Sequence, residues 1–308
     1  MNPDKNKACV ILPTYNGAKF INETLVSINN QSYNNIDVFI RDDGSTDSTV
    51  EMIKSFIKDK DNFTLLDSDN QNLGVPGSFY EILRRIPSTY GYYFYADQDD
   101  YWEKQKIEYA IKLLNDQHND IPKVYFSSFE YCDSNLNHIR YSSDQTKNCD
   151  FYHSLFYTLG LGFTIAFNRE AFNQFIKNVN PGDEMHDRWI IRCACALGQL
   201  VYDKRPTAKH IRHDAAVTAS DNHMIDLFKY FIKEELFGTK AQIEAEKLSH
   251  FKNCFNDKLN NDELEALNLF TEAKGIPSQL KKALFPHRLR PTYISSFCLR
   301  FLFLIGKI

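Results

Sequence analysis

Short apolar runs alternate with longer periodic stretches through the first half of the chain. Residues 8–14, ACVILPT, form an apolar run ended by Pro13, of the length of a strand buried on both faces. In residues 18–30, Phe20, Ile21, Thr24, Leu25 and Ile28 are spaced for one face of a helix. IDVFIR at 36–41 predicts a second strand. Val50, Ile53 and Ile57 predict a helix over 48–58, with Thr46 or Asp47 as its cap. NFTLLD at 62–67 reads as a third strand, and the loop NQNLGVPG leads into a helix from Ser78 to about Arg85. GYYFYA at 91–96 predicts a fourth strand, followed by a helix from Glu103 to about Gln117 and a strand over 122–128.

This β-α-β-α order with short connections predicts an α/β fold, with a mostly parallel central sheet flanked by helices. Ligands of such sheets sit at the carboxyl ends of the strands. The polar segments PTYNG, DDGSTD and DQDD all follow directly on apolar runs. The second half is less regular. LGFTIAFN at 161–168 and LVYDKR at 200–205 predict strands, and HDRWIIRCACALG predicts a helix stopped by Gly198. From Asp221 to about Ala273 the pattern is helical, broken near residues 256–261.

Apolar residues make up 43% of the 308 and aromatic residues 14%, which excludes a disordered or collagen-like chain. No apolar run reaches the length of a membrane span, and the N-terminus lacks a signal-peptide pattern. The seven cysteines are mostly scattered, which fits reduced thiols in a cytoplasmic protein. Cys193-x-Cys195 has no partner pair for zinc and falls in a predicted helix. The net charge of −4 hides an asymmetry. Up to Glu272, the last acid, there are 29 basic and 40 acidic residues, a net of −11; after it come seven cations and no acid. An acidic body does not suit nucleic acid, whereas the tail suits an anionic surface.

Three carboxylates crowd into Asp97-Gln98-Asp99-Asp100 at the end of a hydrophobic strand. Mutual repulsion raises their pKa values unless a cation resolves it, and oxygen ligands suit Mg²⁺ or Mn²⁺. A solvated acidic turn is the alternative. Asp42 and Asp43 end the second strand, and one of them could accept hydrogen bonds from a nucleobase or ribose. Ser45, Thr46 and Asp47 need be no more than turn and cap residues. Tyr15 could stack on a base or fill the core.

Taken in order and spacing, VILPTYNGAKFINETLVSINNQSY, IDVFIRDDGSTDST, NLGVPGSF and YYFYADQDDYW resemble the family 2 glycosyltransferases, inverting enzymes of the GT-A fold. DQDDYW looks most like the rhamnosyltransferase-like branch. The likeness is strong over residues 8–120, continues to about 220 and is weak beyond. It implies a GT-A catalytic domain over 1–220, with a donor half to about 120 and an acceptor half from 121. A helical extension over 221–308 would follow. It also implies residue roles. Pro13, Thr14, Tyr15 and Asn16 would line the nucleotide pocket, with Asp42, Asp43, Asn72, Gly74 and Gln98. Asp97 would hold the ribose side, Asp99 the cation, and Asp100 would support them. EMHDRW resembles the branch's HDWW-type element, making Asp187 the base that deprotonates the acceptor hydroxyl. Glu184, His186, Arg188 and Trp189 would support it or shape the acceptor side, together with Gly162. KHIRHD resembles an RQHG-type element, with His213 facing the cation or diphosphate, Arg212 beside it and His210 as a rival.

The resemblance implies a metal-dependent hexosyl- or deoxyhexosyltransferase. Its partners would be a dTDP- or UDP-linked sugar and a glycan acceptor, lipid-linked for a surface polysaccharide. A Mg²⁺-dependent nucleotidyltransferase and a non-catalytic nucleotide-sugar-binding module are the competing readings. PTYNGAKF lacks the basic, Gly-rich phosphate loop the former needs, and no GxGxxG supports a dinucleotide enzyme. The apolar stretch Phe297–Ile305, flanked by Arg288, Arg290, Arg300 and Lys307, reads as an interfacial helix giving peripheral contact with the cytoplasmic membrane. The competing reading docks it on the core or on a second subunit, which leaves a homodimer open.

Overall fold

The computed structural model describes residues 4–68, 71–115, 120–177, 180–211, 231–236, 238 and 240–308. Strand β1 (Asp4–Thr14) leads to α1 (Ile21–Asn29), β2 (Ile36–Asp42), α2 (Thr49–Ile57), β3 (Phe63–Leu65), α3 (Gly74–Arg85) and β4 (Tyr90–Tyr95). Then come β5 (Asp100–Trp102), α4 (Lys106–Leu114), β6 (Lys123–Cys132), β7 (His138–Tyr141) and α5 (Phe151–Phe156). A 3₁₀ turn at Gly162–Thr164 opens β8 (Ile165–Asn168), and α6 (Arg169–Phe172) runs into a π-turn. The rest is α7 (His186–Leu197), β9 (Gln199–Ile211), α8 (Lys240–Phe255), α9 (Asn261–Thr271), α10 (Ile276–Ala283) and α11 (Tyr293–Leu304).

The strands form one sheet in the order β3-β2-β1-β4-β8-β6-β9-β5, with β7 paired to β6. The parallel arrangement holds across β3, β2, β1 and β4. Beyond β4 the sheet is mixed, because β8 runs antiparallel to both β4 and β6. Ala8 to Leu12 of β1 are fully buried, which explains a continuous apolar run rather than alternation. Ile21, Leu25 and Ile28 cover one face as the helical spacing requires.

Several boundaries differ from the sequence expectation, each for a tertiary reason. Helix α3 starts at Gly74 instead of Ser78, because the Asp43 carboxylate accepts from the amides of Leu73 and Gly74. Its Pro76 lies in the first turn, where no intrahelical N–H is required. Helix α4 starts at Lys106 instead of Glu103, because Asp100–Trp102 pairs with β9 as a strand. The strand expected over 161–168 begins only at Ile165, and the one expected over 200–205 extends to Ile211 along β6. The first part of the helical stretch expected from Asp221 lies outside the described residues.

The chain divides into two compact units. The first holds Met1–Lys147, Gly160–Ala194 and Gly198–His213; the second holds Asn148–Leu159, Cys195–Leu197 and Asp214–Ile308. Within the second, Phe156 packs edge-on against Phe270 of α9 and Phe303 of α11.

Candidate active site

The parallel register sets Thr14 beside Asp42 and Ile11 beside Tyr95, so the loops after β1, β2 and β4 meet at one edge of the sheet. Side chains then tie the loops together. Thr14 Oγ1 donates to Asp42 at 2.9 Å. Asp42 also accepts from the amides of Gly44 and Ser45 and from Ser45 Oγ. Asp42 is therefore a closure of its own turn. Asn16, at a positive φ of 47°, receives Thr46 N on its side chain and donates its amide to Ser45 Oγ.

Asp43 is buried and more heavily engaged. Its carboxylate pairs with Arg41 and accepts from Leu73 N and Gly74 N, each at 2.9 Å. Arg41, equally buried, also donates to Ser78 Oγ and the Gln71 carbonyl. Oδ2 receives Gly74 N and keeps lone-pair capacity for another donor, such as a nucleobase N–H. Asn72 accepts from Gly74 N, and Gly74 holds a φ of 69°, which favours glycine.

Tyr15 is 46% exposed and so is not a core side chain. Gln98 braces it from both sides: Tyr15 N donates to Oε1 and Nε2 donates to the Tyr15 carbonyl, each at 2.9 Å. A Cβ at Gly17 would lie 2.2 Å from Gln98 Oε1. Gly17→Ala is therefore expected to displace the Gln98 amide and release the Tyr15 loop. Donor affinity should fall about tenfold, the worth of one or two net hydrogen bonds. Gln98→Ala should do the same, and the double variant no more than either alone, because both remove one brace. Isothermal titration with nucleoside diphosphate checks this; additive losses would contradict it.

The turn after β4 concentrates negative charge. Burial first, then Asp100, Asp99 and Asp187, push Asp97 well above the usual carboxylate range. Asp100, pushed up to about 6 by burial, pairs with His210 Nδ1 at 2.8 Å across the β5–β9 ladder. His210 stacks on Phe163. Asp100 Oδ2 is buried with no hydrogen-bond partner among the described residues. These hard oxygen donors fit a divalent cation. Among the described residues no three His, Cys, Asp or Glu groups cluster as a ready cage. Mg²⁺ does not need one, since one or two carboxylates suffice when substrate phosphates complete its shell. Arg212 and His213 lie outside the described residues.

Asp187 sits in the first turn of α7 and is buried. Burial pushes its carboxyl up to about 6, against the lowering effects of the Arg188 amide and guanidinium. Its negative charge reaches both Tyr95 and Asp97, so it stands near the carboxylate turn. Glu184 is taken up as a brace: it pairs with the fully buried Arg192 at 2.9 Å and approaches Arg188, and its carbonyl accepts from Tyr80 OH. His186 stacks on Phe79 at 3.7 Å and meets Tyr95 edge-on, and burial lowers its pKa to about 3. It is a neutral packing piece. Gly162 lies against it, where a Cβ would come within 2.4 Å of Nε2. Trp189 is fully buried and donates to the Phe175 carbonyl, so it supports the helix from inside.

Sequence reasoning missed Arg41, Tyr80 and Arg192. Arg41 left a signal, a cation placed at the end of an otherwise apolar strand. Tyr80 and Arg192 left none, because their shared partner, Glu184, lies in the bend before α7.

The family model of glycosyl transferase family 2 matches residues 9–177. The dTDP-rhamnosyl transferase RfbG of Shigella flexneri is 28% identical over 212 residues, covering 66% of this chain and 72% of RfbG. Several other curated relatives are spanned over half their length or less. The structure of S. aureus TarS 1-349 with UDP-GlcNAc aligns at a TM-score of 0.56 and 18% identity, over 97% of this chain and 92% of that one. The mannosyltransferase PcManGT of Pyrobaculum calidifontis, with GDP-Man and Mn²⁺, aligns at 0.51 and 17% identity over 100% and 88%. These solved structures share the GT-A fold of the chain.

Proposed function

This chain belongs to glycosyl transferase family 2, and on that premise we propose that it moves a sugar from a dTDP- or UDP-linked donor to a glycan hydroxyl, with inversion. The acceptor is a lipid-linked precursor of a bacterial surface polysaccharide. The observation that carries this reading is the buried carboxylate of Asp187 close to the carboxylate turn after β4. Relatives named for dTDP-rhamnose and UDP-GlcNAc support the donor class.

In this reading Tyr15, Asp43, Asn72 and Gly74 form the nucleotide pocket. Asp43 offers its remaining acceptor capacity to the base. Asp97 takes the ribose side, and Asp99 would hold Mg²⁺ or Mn²⁺. When bound, the cation neutralises charge on the diphosphate. Asp187 accepts the proton of the acceptor hydroxyl on the face opposite the diphosphate, and a single displacement inverts the anomeric carbon. Tyr80, Glu184 and Arg192 hold the turn that carries Asp187, and Asp100 with His210 steadies the other side.

Two measurements test this. A screen of nucleotide sugars with Mg²⁺ or Mn²⁺ and a lipid-linked acceptor should give acceptor-dependent nucleoside diphosphate release, and a product of inverted anomeric configuration by NMR. Absence of release from every donor, or a retained configuration, would overturn the reading. The pH profile of kcat/KM, which reports the free enzyme, is the second. Asp187 must be unprotonated to act, and its carboxyl lies at about 6. The rate should therefore rise with pH up to about 6 and level off above. A rate unchanged between pH 5 and 7 would contradict a base in this environment.

A further inference from the structure

Helix α11 is apolar on two opposite sides. Leu299, Leu302 and Phe303 are buried. Tyr293, Ile294, Phe297, Phe301 and Leu304 are exposed, Tyr293 by 89% and Phe297 by 71%. At about 100° per residue those five fall within one arc of roughly 100°. A helix that is hydrophobic all round is ordinarily covered all round. Here one stripe faces out. The preceding helix repeats the pattern: Ile276 and Leu280 of α10 and Leu284 at its C-terminal cap recur every fourth residue, and Leu284 is 77% exposed. The two helices are held as a hairpin by Arg300, whose guanidinium donates to the carbonyls of Ala283, Phe285 and His287.

Along the hairpin itself the charge is of one sign, since no acid follows Glu272, while Asp262, Glu265 and Glu272 share a cavity with Lys281 on its other side. The structure narrows the seven cations. Arg290 is paired with Glu235 at 2.9 Å, Arg300 is engaged with carbonyls, and Lys282 is buried. Lys274 and Lys281 remain exposed, as does Arg288, which also donates to the Arg290 and Pro291 carbonyls, and Lys307 is partly so. Exposed apolar stripes beside exposed cations complement a surface that is apolar below and anionic above. That is an anionic bilayer, with side chains reaching the acyl boundary and cations at the phosphates. A second copy would set cations against cations. Helix α11, at twelve residues, is about 18 Å long, too short to span. Among the described residues no helix is long and apolar enough to cross a membrane.

We propose that the α10–α11 hairpin is a docking face that lies on anionic lipid bilayers. This deepens the reading of a lipid-linked acceptor. Vesicle binding is measured without donor or turnover, so the two readings fail separately.

The test is co-sedimentation of the full chain with vesicles of phosphatidylcholine, alone or mixed with phosphatidylglycerol. Binding should favour the mixed vesicles and weaken as salt rises. Phe297→Ser and Phe301→Ser should each weaken it about tenfold, as expected for a buried aromatic group. Lys281→Gln and Arg288→Gln should each weaken binding to mixed vesicles about fivefold, with no effect on phosphatidylcholine alone. All four residues are exposed or nearly so, and unchanged circular dichroism and thermal unfolding confirm a folded variant. No binding to anionic vesicles at low salt would overturn the proposal. So would a dimer in light scattering that the Phe297 and Phe301 variants dissociate, which would make the face a self-interface.

Discussion

Asp187→Asn should lower kcat by about 10²–10⁴-fold, leave donor affinity nearly unchanged and raise the thermal midpoint. The three effects share one cause. As base, Asp187 takes the acceptor proton in the transition state, and an amide cannot. Donor contacts come from the β1, β2 and β4 loops, so binding is spared. The stability gain follows from linkage. Burial moves the carboxyl from its usual 3.8 to about 6. An acid whose folded pKa is raised stabilises the fold at low pH, where it keeps its proton. That contribution is lost as pH climbs through the folded value. At pH 7 the charged, buried carboxylate therefore costs roughly 1–3 kcal/mol. Asn removes the charge at equal size, so unfolding at pH 7 should shift upward by several degrees, at about 2–4 °C per kcal/mol. At pH 4 the gain should shrink. Loss of donor binding in step with kcat, or a rate within tenfold of wild type, would rule Asp187 out as the base.

Asp43→Ala should destabilise the protein by about 3–5 kcal/mol and abolish donor binding as well. The side chains of Arg41 and Asp43 are only 1% and 5% exposed. Removing the carboxylate leaves a buried guanidinium without its counter-charge. It also takes the acceptor from the Leu73 and Gly74 amides that open α3. A thermal midpoint lower by about 10 °C is expected. A residue that only touched the base would leave the midpoint unchanged, and that result would refute the structural half of the role. Should the single variant fail to fold, Arg41→Met with Asp43→Leu separates the effects. Replacing a buried ion pair by apolar groups recovers the part of the stability that the unpaired guanidinium costs, though not the Leu73 and Gly74 amide bonds, while donor binding should stay lost.

Much of the first half was legible because β1, β2 and β4 are largely apolar runs and α1 and α2 follow a 3.6-residue pattern. IDVFIR and GYYFYA became β2 and β4 within a residue of the expected bounds, while ACVILPT became β1 with four more residues, from Asp4, at its start. The same rule fails where a strand is short and half polar. Asp100–Trp102 carries no apolar run, yet it is a strand because β9 lies beside it. Glycines misled as well: Gly74 and Gly77 read as loop, but Asp43 supplies the N-terminal acceptors that start α3 there.

The sequence by itself determined the α/β alternation, the acidic turns at the strand ends and the basic apolar tail. Order and spacing along the chain carry those features. Only the tertiary structure decided how each carboxylate is used. Asp42 closes a turn and Asp43 anchors a helix. Glu184 is committed to Arg192, while Asp187 is buried near Asp97 with a raised pKa. A carboxylate's chemistry depends on its solvent and its nearest charges, and those are set by how the chain packs: Gly74 reaches Asp43 from 31 positions away, and Asp187 reaches Asp97 from the far end of the domain's chain.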